Sequence, residues 1–346
     1  MPKVTKKQSR LVGIQYLRAL AALGVVLVHL VPKLEGGLPA TDFQLRVFGI
    51  GTDTLLVISG FFSWVTTENL RISPLQWWVR RMLRLFPLYW LTLATLLVIL
   101  WLGSQSVPSF EHIARAFLFI PGGPKGLAPF FVPGWAMNLV FVFTLFLAFT
   151  LVIKRPLVRF LVVCCVFSGL AIGRVVLNCE GPILFVYTSP LLFEFVAGMG
   201  IALFHSLLSR RYWILGLATI AAGVLYAITI SPDLFPDGPR SIRNGVPAVL
   251  FVFGIIQLEP LLRRMPRMKI LQSIGDASYS IYLSHPLVVA PIGLALGAAK
   301  LPSLALNLAL GVVVILALGM TVYRFIELPL VKTARGLLKA GKKAED

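Results

Sequence analysis

Two residues in the first apolar stretch have types and spacing suited to chemistry. Arg18 and His29 stand eleven positions apart in RALAALGVVLVH. On an α-helix that separation is three turns plus about 20°, so both side chains lie on one face, about 16 Å apart along the axis. A guanidinium suits phosphate oxygens. An imidazole is the natural general base near neutral pH. Together they fit a cavity for a long anionic ligand, with its phosphates at Arg18 and its reactive end at His29. The plainer reading has Arg18 snorkelling and His29 bonded to a neighbouring helix. The pair alone does not decide between the two.

Asp53 follows in GIGTDTLLVISGFFSW. It is expected near His29, where a carboxylate would orient and stabilise an imidazolium. A helix cap or an ion pair with Arg46 would explain it as well. Ser59 and Gly60 in the same stretch allow close approach by a ligand or another helix. In WWVRRMLRLFPLYW, Arg80 and Arg84 share a helical face, with Arg81 between them. The cluster is either a phosphate clamp or an ordinary topology determinant at the membrane border. Glu194 is an acid inside an apolar run, facing an acceptor or pairing an arginine. SYSIYLSHP carries Tyr279, Tyr282 and His285, with Tyr282 and His285 close on one face. Arg324 and Glu327, at i and i+3, read as a local ion pair. The sequence holds no HExxH, Walker A, Rossmann glycine fingerprint or GxSxG. Cys164, Cys165 and Cys179 have no metal-ligand spacing, so no metal site is expected.

The elements that must hold these residues are membrane helices. Of the 346 residues, 58% are hydrophobic and 13% charged, with mean hydropathy +0.87. An ordinary soluble domain is about 45–50% apolar and about 25% charged. A soluble enzyme and a disordered chain are both excluded as leading readings. About ten stretches are long and apolar enough to span a bilayer. They run near 11–31, 47–65, 85–102, 135–153, 157–172, 184–204, 213–230, 245–258, 279–296 and 304–325. The second and eighth are the weakest, interrupted by Asp53 and Pro247. The first is read as a retained helix, since no small-residue cleavage site follows it. On that count 24 of the 32 Lys and Arg lie on the side of the termini and 8 on the other. The bias places both termini in the cytoplasm. It also accounts for the net charge of +18, which speaks for membrane lipids as surroundings and not for nucleic acid. The expected fold is an all-α integral membrane protein of about ten transmembrane helices. It forms one domain over 1–346, with short basic cytoplasmic tails at about 1–10 and 331–346.

Five fragments, in order and over nearly the whole chain, resemble the acyltransferase-3 family of multi-pass membrane acyltransferases. They are the Arg18–ten residues–His29 pattern, TDTLLVISGFF, RRMLRLFPLYW, IGDASYSIYLSHP and YRFIELP. The opening IQYLRALAALGVVLVH is most similar to the ExoZ-like branch, which acetylates bacterial exopolysaccharides. The resemblance implies a plasma (inner) membrane enzyme with acyl-CoA, in this branch acetyl-CoA, as cytoplasmic co-substrate and no permanently bound cofactor. The acceptor it implies is a sugar hydroxyl on a polysaccharide or lipid-linked glycan. His29 would be catalytic, with Asp53 beside it. Arg18, Arg81 and Arg84, with Ser59, would hold the donor.

One departure concerns the acceptor. Many members carry a Glu a few residues after a Trp in the fourth span. Here the stretch is PGWAMNLVFVFT, with Trp135 present and Val140 in the acid's place. Either Asn138 or Glu194 substitutes, or the acceptor differs, or activity is reduced; Trp135 and Tyr282 complete the expected acceptor side. Two other readings stand beside the enzyme. One is a transporter or flippase, with polar interior residues along its path. The other is a non-catalytic member of a glycan assembly complex.

Overall fold

The computed structural model describes residues 11–35, 41, 47–67, 73–103, 106–122, 131–176, 181–205, 212–229, 240–298, 303–334 and 336. Residues 1–10 and 337–346 of the basic tails, Arg46 and Cys179 lie outside them. The described residues form helices and turns, with no strand among them. In chain order the first helices are α1 (Val12–Leu34), α2 (Ile50–Val65), α3 (Pro74–Leu102), α4 (Phe110–Phe117) and α5 (Gly134–Thr150). Next come α6 (Pro156–Val176), α7 (Pro182–Tyr187), α8 (Leu192–Phe204), α9 (Trp213–Thr229) and α10 (Arg240–Arg243). The last are α11 (Gly245–Leu262), α12 (Lys269–Asp276), α13 (Ser278–Ala298) and α14 (Leu304–Val322), which runs into a π-turn at Tyr323–Glu327.

Local chemistry sets several boundaries. Ser73 and Gln76 form a reciprocal capping box with Pro74 behind it, so α3 starts eleven residues before the expected span. Arg80, Arg81 and Arg84 therefore sit within α3, ahead of the expected span. Pro190 falls in the turn between α7 and α8, which divides the expected sixth span. Pro247 lies in the first turn of α11, where its missing N–H costs nothing. The α1 N-terminus has no cap of its own. Glu259 of α11 supplies one, accepting from the backbone N–H of Val12 and of Gly13 at 2.8 Å each.

α1 is central, touching α2, α11, α12, α13 and α14. Contacts set the helix directions. Gln15 meets Gly275, Arg18 meets Ser278, His29 meets His285 and Lys33 meets Gly293, so α1 and α13 run the same way. α11 runs opposite to α1, with Glu259 at the Val12 end. α2 and α8 run together, through Asp53 with Glu194, Val57 with Gly198 and Phe61 with His205. Their crossing depends on two glycines. A Cβ on Gly60 would fall 2.1 Å from the Phe195 carbonyl oxygen, and one on Gly198 2.0 Å from that of Val57. Between membrane helices such small residues allow the backbone approach that drives packing.

Among the described residues seven helical stretches are long and apolar enough to cross a membrane, with α7 and α8 counted together as Pro182–Phe204 and α10 and α11 as Arg240–Leu262, and Ile50–Val65, Gly134–Thr150 and Trp213–Thr229 are shorter apolar helices. One local expectation fails. Glu327 is buried and accepts from the Ser280 hydroxyl at 2.6 Å, while Arg324 is exposed. The π-turn explains this, because i→i+5 bonding abolishes the i, i+3 alignment of an α-helix.

Candidate active site

At one end of the bundle, a cavity of about 130 Å³ opens between α1, α10, α13 and the start of α5. Its polar lining includes His29, His285, Tyr282, Arg240 and Arg243, with Trp135 as an aromatic wall.

His29 is half-buried, and its Nδ1 lies 2.8 Å from the Val25 carbonyl oxygen of the same helix. A carbonyl only accepts, so this nitrogen carries the proton. In the neutral ring Nε2 then holds the free lone pair, the arrangement a general base requires. His285 has the same arrangement. Its ring lies 5.0 Å from that of His29, tilted by 50°, and its Nδ1 is 2.8 Å from the Tyr282 carbonyl oxygen. The reason is in the sequence: residue 286 is proline, so Tyr282 lacks the N–H it would accept from four residues on. The His285 Nδ1–H takes that place. His285 Nε2 is buried without a hydrogen-bond partner among the described residues.

Asp53 is placed differently from the expectation. Its carboxylate is fully buried and taken by Arg240, from Nη2 at 2.6 Å and from Nε at 3.1 and 3.2 Å. It therefore does not orient the imidazole of His29. The physical reason is that a buried carboxylate needs a full counter-charge, and a two-pronged guanidinium supplies it better than an imidazole. Arg240 also lies 4.7 Å from the Trp135 ring centroid, a cation–π contact. Glu194 sits behind Asp53, 3% exposed, close to the Asp53 carboxylate and within reach of the Arg240 charge. Neither Glu194 nor Asn138, which is buried in α5, lines the cavity; Trp135 and Tyr282 do.

The other end of α1 gathers cations. Arg18 donates from Nε to the Ser278 hydroxyl at 3.1 Å and from Nη1 to Gln15 at 3.3 Å. Arg81 donates to the Ser59 hydroxyl at 2.8 Å, which brings two of the expected donor residues together. The charge of Arg84 acts on both Arg18 and Arg81. Asp276 and Glu327 are near Arg18 as well. The cationic group and the histidine pair are thus joined by a single helix. Among the described residues no group of three His, Cys, Asp or Glu could hold a metal.

A family model described as an acyltransferase domain matches residues 11–324. The chain belongs to the acyltransferase-3 family. It is also 29% identical over 311 residues to the exopolysaccharide production protein ExoZ of Rhizobium meliloti (strain 1021), covering 85% of this chain and 93% of that protein. No solved structure matches it. The match spans both ends of α1 and the His285 segment, so the cationic group and the cavity belong to one acyltransferase domain.

The two cations of the cavity, Arg240 and Arg243, are not among the candidate residues that the sequence singles out. The signal that could have found Arg240 was the need of Asp53, inside an apolar helix, for a cation.

Proposed function

We propose that the protein is a membrane O-acyltransferase. In this reading it moves an acyl group, most simply acetyl, from cytoplasmic acyl-CoA to a sugar hydroxyl of an exported polysaccharide. The observation that carries it is the free Nε2 of His29 in a cavity, on the same helix face as Arg18 and its cationic neighbours. The name of the relative supports an exopolysaccharide as acceptor. The surplus of basic residues supports the Arg18 end as the cytoplasmic one. Seven long and three short apolar helices, with α1 and α13 running the same way, support ten spans in a plasma membrane.

Arg18, Arg81 and Arg84 hold the phosphates of the donor, and Ser59 fixes Arg81. The thioester arm extends along α1 towards His29. His29 Nε2 takes the proton of the acceptor hydroxyl as the oxygen attacks the thioester carbonyl. The carbon–sulfur bond breaks, and His29 returns the proton to the departing thiolate, leaving CoA–SH and the sugar ester. Trp135 and Tyr282 offer flat faces to the sugar ring. Exclusion of bulk water from the thioester limits hydrolysis.

The test is transfer of label from radiolabelled acetyl-CoA to a lipid-linked glycan extract by the protein in nanodiscs. Transfer supports the reading. Failure of acetyl-CoA to bind overturns the donor assignment.

A further inference from the structure

The cavity holds two arginines in different situations. Arg240 is neutralised by Asp53. Arg243, one turn on, lines the same cavity, and its Nε donates to the neutral Asn244 side chain at 3.3 Å. It has no carboxylate partner among the described residues. Among the described residues no Asp or Glu lines the cavity; Asp53 and Glu194 stand behind Arg240. The two imidazoles add Nε2 acceptors and no negative charge. The described wall of the cavity at Arg243 is therefore electropositive, and it becomes more so when His29 takes up a proton.

We propose that the acceptor carries an anionic group close to the hydroxyl that is acylated, and that Arg243 binds it. This rests on the acyltransferase reading above. The terminal nitrogens of Arg243 have the planar geometry that grips a carboxylate or phosphate by two parallel bonds. Trp135 and Tyr282 in the same wall suit the sugar ring that bears the anion. The anion has a second effect: placed beside the histidine pair, it supplies the negative charge for the His29 imidazolium that Asp53 cannot supply. The shared chemistry is an oxyanion, borne either by a sugar carboxylate or by the diphosphate of a lipid-linked precursor.

Binding is measured on the full-length protein in nanodiscs without acyl-CoA, so that no turnover is needed. The probes are tetragalacturonate, maltotetraose and glucose joined to a ten-carbon prenyl diphosphate. The expected result is at least about tenfold tighter binding of one charged probe than of maltotetraose. Arg243→Gln removes that preference, Arg243→Lys keeps part of it, and added salt weakens it. Preference for tetragalacturonate identifies a sugar carboxylate, and preference for the prenyl diphosphate identifies the lipid-linked precursor. Equal binding of charged and neutral probes, no binding of any probe, or a preference that survives Arg243→Gln overturns the proposal. Label transfer from acetyl-CoA to a crude glycan extract is scored in parallel. Transfer with no Arg243-dependent preference overturns this inference alone, whereas no transfer to any acceptor overturns the acyltransferase reading.

Discussion

The rings of His29 and His285 stand 5.0 Å apart, and each imidazole has its Nδ1 bound to a carbonyl of its own helix. They differ in access: His29 is half-buried and His285 is 1% exposed. In the proposed mechanism His29 is the ring that meets substrate, and His285, whose buried Nε2 has no partner among the described residues, stands beside it. His285→Gln is expected to lower transfer by at least about tenfold, less than the effect of removing His29, with the unfolding temperature unchanged. Steady-state rates and thermal unfolding check this together. Unchanged rates would reduce His285 to packing.

Asp53 and Arg240 form a buried pair that joins α2 to α10. Asp53→Asn alone leaves a cation in the bundle without its partner. The expected loss of stability is about 3–5 kcal/mol, with Arg240→Gln costing a similar amount. The double variant Asp53→Asn with Arg240→Gln is expected to recover part of that loss. Thermal unfolding of the three variants in one detergent tests it. Additive losses would mean the pair is not coupled.

Glu259 acts over 247 residues of sequence, joining α11 to the first turn of α1 and taking Arg263 at 2.6 Å. Glu259→Ala removes the side-chain cap at the N-terminus of the helix that carries both Arg18 and His29. A loss of about 1–2 kcal/mol is expected, with Glu259→Gln losing less because its amide oxygen still accepts. Denaturation of purified protein measures it. An unchanged midpoint would mean that packing alone holds α1.

The cationic end is testable through the donor. Arg81→Gln is expected to raise the KM for acetyl-CoA at least about tenfold and to change kcat far less, because a phosphate contact far from the thioester is made equally in ground and transition states. Arg18→Gln is expected to behave alike. A fall in kcat at constant KM would place these residues in the chemistry instead.

The helical pattern of the chain was legible, because apolar runs set spans with little help from partners. Arg18 and His29 were legible for the same reason: one helix period relates them. Residues whose meaning depends on distant partners were not. Asp53 was noticed, but Arg240 was not among the partners considered, since it lies 187 positions away on a segment that reads as a loop. Glu259 drew no notice, because nothing in its neighbourhood announces the bare N-terminus of α1. Glu194 was visible as a buried acid, but no local pattern says whether it faces a cavity or the back of Asp53. The His285–Pro286 pair was readable in principle, since proline always leaves a carbonyl free one turn back.

The most direct test compares wild type with His29→Gln for transfer of radiolabel from acetyl-CoA to a lipid-linked glycan extract. The protein is purified in nanodiscs, and acetyl-CoA binding is measured on both forms. His29→Gln is expected to bind acetyl-CoA as wild type does and to transfer label about 10²–10⁴-fold more slowly. Transfer by His29→Gln at the wild-type rate would contradict it.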